Sequence, residues 1–173
     1  KAEGIPAWSG GQGERALADG ALFGALAALL TGRGYQPVVV VGPGEEDLAT
    51  AVVAAAGMWV PVVGVDLDAA GLASVLSRMV GVVGNDSGPT HTATVFGIPA
   101  IALFGPTDLA RTAPFGTSGK ALSLNLECSP CSKLQCPLGH RDCLDMLTPE
   151  KVMAHLLGLI ERAAAPGRRA LHA

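Results

Sequence analysis

Short apolar runs alternate along this chain with stretches whose apolar residues recur at helical spacing. The apolar runs, bounded by Gly, Pro or polar residues, predict buried strands at residues 36–41, 60–63, 79–83, 98–104 and 121–126. Apolar residues at helical spacing, together with residues that favour helix starts and ends, predict helices at residues 14–30, 45–56, 66–78, 89–96 and 148–162. Strands and helices in alternation predict an α/β, Rossmann-like domain, in which a parallel sheet has helices on both faces.

Three segments lack this pattern. Residues 1–13 are rich in Gly and Ala, so we expect a loop or a mobile segment there and no strand. We expect a second loop at residues 109–120, which contains Arg111, and a flexible tail at residues 165–173. Residues 1–164 then form one domain, since a chain of 173 residues with 49% hydrophobic residues is long enough to build a core.

The most informative polar residues lie at positions 85–91, between two predicted strands, where the sequence is Asn-Asp-Ser-Gly-Pro-Thr-His. Pro89 suits the first turn of a short helix, because proline has no N–H group to lose there. The N–H groups at the start of such a helix point to the carboxyl edge of the sheet, where they bind phosphate or another anion. The residues expected at this site are Asp86, Ser87, Gly88, Pro89 and His91, joined at the same edge by Thr107 and Asp108 of the next loop.

Several of these polar residues also have a simpler structural interpretation. Asp86 and Ser87 are residues that commonly turn the chain and cap a helix, and a nearby carbonyl would then satisfy His91. Glu45 and Glu46 fall in the first turn of a predicted helix, where acids are favoured by the helix dipole. The functional alternative is that one of them accepts hydrogen bonds from a ribose, because a carboxylate accepts without offering competing donors.

Charge and composition narrow the classes of partner. The net charge of −3 gives the chain no general attraction to nucleic acid or to anionic membranes. No apolar stretch is long enough to span a bilayer without interruption, and the first residues do not form the apolar segment of a signal peptide. We therefore expect a cytoplasmic protein. The first residue is not Met, which leaves open that the chain is part of a longer protein.

All four cysteines fall within sixteen residues, at Cys128, Cys131, Cys136 and Cys143, with His140 among them. One interpretation is a structural zinc ion, because a Cys-x-x-Cys pair with two further thiolates supplies the tetrahedral shell that zinc prefers. A second interpretation is four reduced thiols packed in a loop. A third is one or two disulfides, which the cytoplasm disfavours. The spacing leaves these interpretations open.

Residues 85–93, followed by Phe-Gly-Pro-Thr-Asp at residues 104–108, resemble the C-terminal domain of the bacterial lipopolysaccharide heptosyltransferases, glycosyltransferase family nine. The cysteine segment is most similar to the heptosyltransferase II branch of that family. The similarity covers about residues 35–160. The resemblance implies that the chain is the donor-binding, C-terminal half of a two-domain GT-B glycosyltransferase.

The resemblance also implies a reaction, the transfer of L-glycero-D-manno-heptose from ADP-heptose to the inner core of lipopolysaccharide, with inversion and without a required cofactor. In the family, the lipopolysaccharide acceptor and the catalytic base belong to the N-terminal half. This sequence has no counterpart of that half, so we name no base and expect no transfer by the chain alone. The residues that the resemblance assigns to the ADP-heptose donor are Asp86, Ser87, Gly88, Pro89, His91, Thr107, Asp108 and one of Glu45 and Glu46.

For a full-length enzyme of this kind, the resemblance implies peripheral association with the inner face of the inner membrane. The Asp-Leu-Asp sequence at residues 66–68 begins a predicted helix, and we expect it to cap that helix and not to bind a metal ion. Three alternatives stay open for the function. They are a nucleotide-sugar binding module without transfer activity, a GT-B transferase of another sugar, and a zinc-stabilised interaction domain whose glycine turn is only structural.

Overall fold

A parallel sheet forms the centre of the fold. The computed structural model describes residues 6–8, 14–133 and 135–165, with the backbone alone for residues 6–8 and 14–19. The sheet has the order β3-β2-β1-β4-β5-β6, and all its pairs are parallel. Its strands are β1 (Pro6–Trp8), β2 (Val38–Val40), β3 (Val62–Val63), β4 (Val82–Asn85), β5 (Ala100–Phe104) and β6 (Gly119–Ser123).

Helices cover both faces of this sheet. They are α1 (Glu14–Gly32), α2 (Glu46–Ala56), α3 (Ala69–Leu76), α4 (Gly88–Val95), α5 (Leu109–Thr112), α6 (Asp142–Asp145) and α7 (Pro149–Ala164). Helix α1 packs against α2 and α7, whereas α3 packs against α4. The buried apolar side chains form two clusters, one larger than the other. Val83 and Ile101 belong to the larger cluster, while the preceding residues, Val82 and Ala100, belong to the smaller one. Because successive strand residues point to opposite faces, the two clusters lie on opposite sides of the sheet, which confirms the predicted fold.

The expectation that residues 1–13 contain no strand was wrong. Residues 6–8 form β1, in which Ala7 pairs with Val39 of β2 on one side and with Val83 of β4 on the other. The strand is too short for an apolar pattern to be visible, and its neighbours on both sides supply the hydrogen bonds that define it. Residues 1–5 and 9–13 lie outside the described residues.

The expected loop at residues 109–120 was also wrong. It contains the helix α5 and the first residues of β6, since Gly119 and Lys120 already pair with β5. Helix α6 was not predicted, because both α5 and α6 have only four residues and show no periodicity. The other predicted strands and helices are present, with ends within three residues of those expected. Of the predicted tail, only Ala165 lies in the described part of the chain.

Two glycines allow α1 to pack closely on α2. A Cβ atom added at Gly24 would lie 2.5 Å from the Cβ of Ala55 and 2.7 Å from the backbone N of Ala56. A Cβ at Gly20 would lie 2.7 Å from the Cβ of Ala51. Any larger residue at either position would have to separate the two helices. Among the helices that the structure describes, none combines the length and the apolar character required to cross a bilayer.

We expect Gly24→Ala to lower the free energy of unfolding by about 1–3 kcal/mol, because the clash with α2 involves backbone atoms that cannot rotate away. The matched control is Gly158→Ala in α7, where the added Cβ would meet only the end of the Arg162 side chain, at 3.4 Å. That change should raise the free energy by about 0.5–1 kcal/mol through helix propensity. Urea denaturation measures the free energy of unfolding of both variants. Changes of the same sign in the two variants would contradict this account of the helix contact.

His155 of α7 makes the stability depend on pH. Burial lowers its pKa below the ordinary value of 6.5, and the neighbouring charges of Lys120, Lys151 and Arg162 lower it further. Below that ordinary pKa the unfolded chain binds a proton at His155 that the folded chain resists, so stability falls as the pH drops. We expect the loss of Tm between about pH 7.5 and about pH 5.5 to be larger for the wild type than for His155→Gln. Equal losses for both proteins would show that this group is not responsible.

Candidate functional site

The site begins where β4 ends at the carboxyl edge of the sheet. Ser87 is the N-cap residue of α4, and Pro89 lies in the first turn of that helix, as predicted. The Thr90 hydroxyl donates to the carbonyl of Asn85 at 3.1 Å, so the Ser87 hydroxyl, 3.2 Å away, must donate to the Thr90 oxygen. In the described part of the chain, the Ser87 side chain also accepts no hydrogen bond from an N–H group of α4. The first-turn N–H groups of this helix are left for another acceptor.

The Asp86 carboxylate is held on both of its oxygens. His91 Nε2 lies 2.8 Å from Oδ1, and the Thr112 hydroxyl donates to Oδ2 at 2.7 Å. An ionised carboxylate only accepts, so His91 donates through Nε2. The Asp86 side chain is 10% exposed and the His91 side chain 35% exposed. His91 is thus satisfied by a carboxylate and not by the carbonyl of the simpler interpretation.

The loop after β5 lies beside this carboxylate and carries Asp108. The Asp108 carboxylate accepts from the backbone N of Ala110 at 2.9 Å and caps α5. This capping places Thr112, the last residue of α5, beside Asp86. The loop and the helix thus form one wall of the site.

The cysteine segment folds back over the same loop and forms the opposite wall. The Ser129 hydroxyl donates to the carbonyl of Gly105, and the backbone N of Ser132 donates to the carbonyl of Pro106 at 2.7 Å. A Cβ atom at Gly105 would lie 2.6 Å from Cγ of Leu144 and 3.1 Å from Sγ of Cys143. Glycine is therefore required at position 105 for the segment to pack there.

These two walls enclose a cavity of about 410 Å³. Of the predicted site residues, it is lined by Asp86, Thr107, Asp108, Cys128, Cys131, Cys136 and Cys143. The structure thus brings the cysteine segment to the central turn and the next loop. The sequence predicted the turn and the loop at one edge of the sheet, but it did not indicate the position of the cysteine segment.

The other predicted residues do not line this cavity. Ser87, Gly88, Pro89 and His91 belong to the start of α4 beside it. Glu45 and Glu46 follow β2, which is separated from β4 by β1 in the sheet. Glu45 Oε2 accepts from the backbone N of Gly42 at 2.7 Å, whereas Glu46 lines a second cavity between α2 and β3.

The four thiols differ in their surroundings, although none forms a disulfide. Backbone N–H groups of Arg141 and Leu138 lie against the Cys136 sulfur, and their hydrogen bonds lower the pKa of this thiol. Burial raises the pKa of the Cys143 thiol, and the nearby thiols of Cys128, Cys131 and Cys136 raise it further. Cys136 is therefore the more acidic of the two.

The arrangement of these thiols bears on the predicted zinc ion. Within the residues that the structure describes, no group of three or more His, Cys, Asp or Glu side chains is arranged to hold a metal ion. The thiols as placed do not form a ligand shell, so the zinc site stays a prediction from the spacing alone.

A sequence model of glycosyltransferase family 9 (heptosyltransferase) matches residues 19–141, more than half of this chain. The chain belongs to glycosyltransferase family 9. The resemblance seen in the sequence is thereby confirmed.

Two bacterial heptosyltransferases are similar to part of this chain. The lipooligosaccharide heptosyltransferase 2 of Campylobacter jejuni (serotype O:6, strain 81116) is 44% identical over 73 residues, which cover 42% of this chain and 23% of that protein. The lipopolysaccharide heptosyltransferase 1 of Pseudomonas aeruginosa PAO1 is 37% identical over 70 residues, covering 40% of this chain and 20% of that protein. The aligned region is thus less than a quarter of either relative.

Two solved Escherichia coli structures share the fold of this family 9 chain. The ADP-heptose lipopolysaccharide heptosyltransferase II matches with a TM-score of 0.71 at 21% identity, over 94% of this chain and 48% of that one. The heptosyltransferase WaaC with ADP-2-deoxy-2-fluoro heptose matches with a TM-score of 0.62 at 21% identity, over 91% of this chain and 43% of that one. The chain therefore spans about half the length of each solved structure.

Thr112, Lys133 and Leu144 are among the residues of the site that the sequence did not predict. Thr112 holds Asp86 from 26 positions further along the chain, and Lys133 and Leu144 line the cavity from the cysteine segment. A Thr, a Lys and a Leu in loops and short helices carry no local signal. The packing of the cysteine segment over Gly105 brings Lys133 and Leu144 to the site, whereas the capped helix α5 brings Thr112.

We expect iodoacetamide at about neutral pH to label Cys136 before Cys143, because the thiolate is the reactive form and is more populated at Cys136. Mass spectrometry of the reduced, folded chain follows each position, and the urea-unfolded chain is the control, in which the two rates should converge. Equal rates in the folded chain would contradict the described surroundings of the thiols. If all four thiols resist labelling until a chelator is added, the predicted zinc site gains support instead.

Proposed function

We propose that this chain is the donor-binding half of an enzyme that transfers heptose from ADP-heptose to the inner core of lipopolysaccharide, with inversion at the anomeric carbon. The observation that carries the proposal is the start of α4, where first-turn N–H groups without a cap from Ser87 lie next to a carboxylate held by His91 and Thr112. Family membership makes a nucleotide sugar the ligand to test there.

The start of α4 suits the diphosphate of the donor. Helices α3, α5 and α7 are capped by the side chains of Asp68, Asp108 and Thr148. Helix α4 has no side-chain cap, as is also true of α2 and α6, and its Ser87 hydroxyl is engaged with Thr90. The N–H groups and the dipole of α4 are then available to an anion. The sheet order also reverses between β1 and β4, and ligands of open α/β sheets bind in the crevice at such a point.

Asp86 and His91 suit the sugar and the leaving group. Each carboxylate oxygen has two lone pairs, so Asp86 can accept from sugar hydroxyls while it keeps His91 and Thr112. We assign to His91, in the first turn of α4, a contact with the departing diphosphate, on which negative charge develops. The Asp-Leu-Asp sequence at residues 66–68 caps α3, since the Asp68 carboxylate accepts from the backbone N of Gly71 at 2.7 Å. We therefore assign charge stabilisation to α4 and His91.

The rest of the reaction needs residues outside this chain. We assign the acceptor site and the base that deprotonates its hydroxyl to the remainder of a longer protein, since the chain spans about half of its solved family relatives. We place that protein at the cytoplasmic face of the inner membrane, where its lipid-linked acceptor would be presented. The chain by itself should bind the donor nucleotide without transferring heptose.

Calorimetric titration with ADP and with UDP tests this assignment. We expect ADP to bind and UDP to bind more weakly. His91→Ala should lower the affinity for ADP by about ten- to a hundred-fold, the effect of losing one hydrogen bond to a charged group. Thr112→Val should lower the affinity for ADP-heptose more than the affinity for ADP, because it removes one of the two hydrogen bonds that hold the Asp86 carboxylate, which is assigned to the sugar.

His155→Ala is the matched control, since His155 lies on α7 next to Lys120 and away from this site. Its ADP affinity should equal that of the wild type. Absence of ADP binding, or an unchanged affinity in His91→Ala, would remove the basis for a donor site at α4.

A further inference from the structure

Basic side chains form a row along one side of helix α7. Lys151, His155 and Arg162 recur at a spacing of four and seven residues, which places them on one side of a helix. Lys120 of β6 extends this row, since its Nζ lies 3.0 Å from Nδ1 of His155. Among the described residues, none of the three cations of the row forms an ion pair with an acid. We call these four residues the basic row.

The acids of α7 lie on a different side of the helix. Glu150 and Glu161 each precede a cation of the basic row by one residue, and one residue turns a helix by about 100°. Burial lowers the pKa of His155, and the charges of the other three members of the row lower it further. The basic row is therefore a region of positive charge on a chain whose net charge is −3.

Exposed apolar side chains lie near the end of α4 and in the loop before β6. Phe115 is 88% exposed, Val95 78% and Phe96 48%. The chain has four Phe residues, and the other two, Phe23 and Phe104, are buried in the core. Because exposed apolar side chains that gather in one place mark surface that another molecule covers, the positions of these three residues matter. We call Val95, Phe96 and Phe115 the apolar group.

The apolar group and the basic row meet at the start of the edge strand β6. A Cβ atom added at Gly119 would lie 2.5 Å from the Cβ of Pro114 and 2.7 Å from Cγ2 of Thr94. Pro114 and Thr94 directly precede two members of the apolar group, and the residue after Gly119 belongs to the basic row. Since successive strand residues point to opposite faces, the two groups lie on either side of β6, which ends the sheet. One surface along the outer side of β6 could contact both.

Cations beside apolar side chains favour a lipid surface over other anionic partners. A DNA duplex presents its phosphates outward and offers no apolar region to the apolar group. A second copy of the chain, paired through this same surface about a twofold axis, would bring two basic rows together. A bilayer offers both kinds of contact, because its phosphate headgroups attract cations and its acyl chains accept apolar side chains.

We propose that the basic row and the apolar group form a surface by which the chain binds an anionic lipid membrane. The inference rests on the proposed function, because the lipid-linked acceptor of that function is what brings the chain to a membrane. The apolar group lies at the end of α4, opposite the helix start that is assigned to the donor. Contact with lipid at β6 therefore leaves the start of α4 open to the nucleotide sugar.

The test is sedimentation of the chain with vesicles of phosphatidylglycerol and phosphatidylcholine in equal amounts, with pure phosphatidylcholine vesicles as the uncharged counterpart. We expect binding to the charged vesicles, far weaker binding to the uncharged ones, and a decline in binding as salt is added. Lys120→Gln/Arg162→Gln should lower the affinity for charged vesicles by about tenfold or more. Phe115→Ser should lower it by about fivefold through the loss of apolar contact. Circular dichroism of each variant verifies that it is folded.

Matched controls remove similar groups elsewhere. Arg33→Gln/Arg78→Gln removes two exposed cations outside the basic row, and Trp59→Ser removes an aromatic side chain that is 76% exposed and precedes β3, at the other end of the sheet. Both controls should stay within about twofold of the wild-type affinity.

Three outcomes would overturn the proposal. They are a wild type that does not bind the charged vesicles, a control that loses as much affinity as its counterpart, and a DNA duplex that binds more tightly than the vesicles at the same salt concentration. The ADP titration separates this surface from the proposed function. Absence of ADP binding would count against the donor site, whereas failure to bind vesicles with ADP binding intact would count against this surface alone.

Discussion

The Asp86 carboxylate joins two parts of the chain that the sequence separates, and the geometry of the site depends on it. His91, on the helix that follows the same turn, holds one oxygen, while Thr112 holds the other from the end of α5. The start of α4 is thereby fixed relative to the loop after β5. A charged group with two fixed partners also keeps its orientation when a ligand arrives, so little reorganisation accompanies binding.

The cysteine segment shows how a single small residue can determine the shape of a site. The segment lies over the loop after β5 only because Gly105 leaves room for Leu144 and Cys143. The hydrogen bonds of Ser129 and Ser132 to the carbonyls of Gly105 and Pro106 then fix its position. The Phe-Gly-Pro-Thr sequence thus has a steric reason for its glycine that does not depend on any ligand.

Sequence patterns predicted the fold and the central turn because both are local. Sequence patterns identified ten of the thirteen elements that the structure describes in nearly their observed places, and Pro89 identified the start of α4. The missed features arise from distant contacts. Strand β1 is defined by its two neighbours, Thr112 acts across 26 positions, and the cavity exists only after the cysteine segment has folded over Gly105.

The central place of β1 has a consequence for the order in which the protein is made. Ala7 precedes both of its partners, Val39 and Val83, in the chain, and Val83 is synthesised only after three further helices. During synthesis the half-sheet β3-β2-β1 therefore exposes an unpaired edge until β4 emerges. Unpaired edges invite association with other chains, and three residues are a short template for it. Strand β1 is too short to be recognised from sequence patterns, and the same shortness limits the association of the nascent chain with other chains.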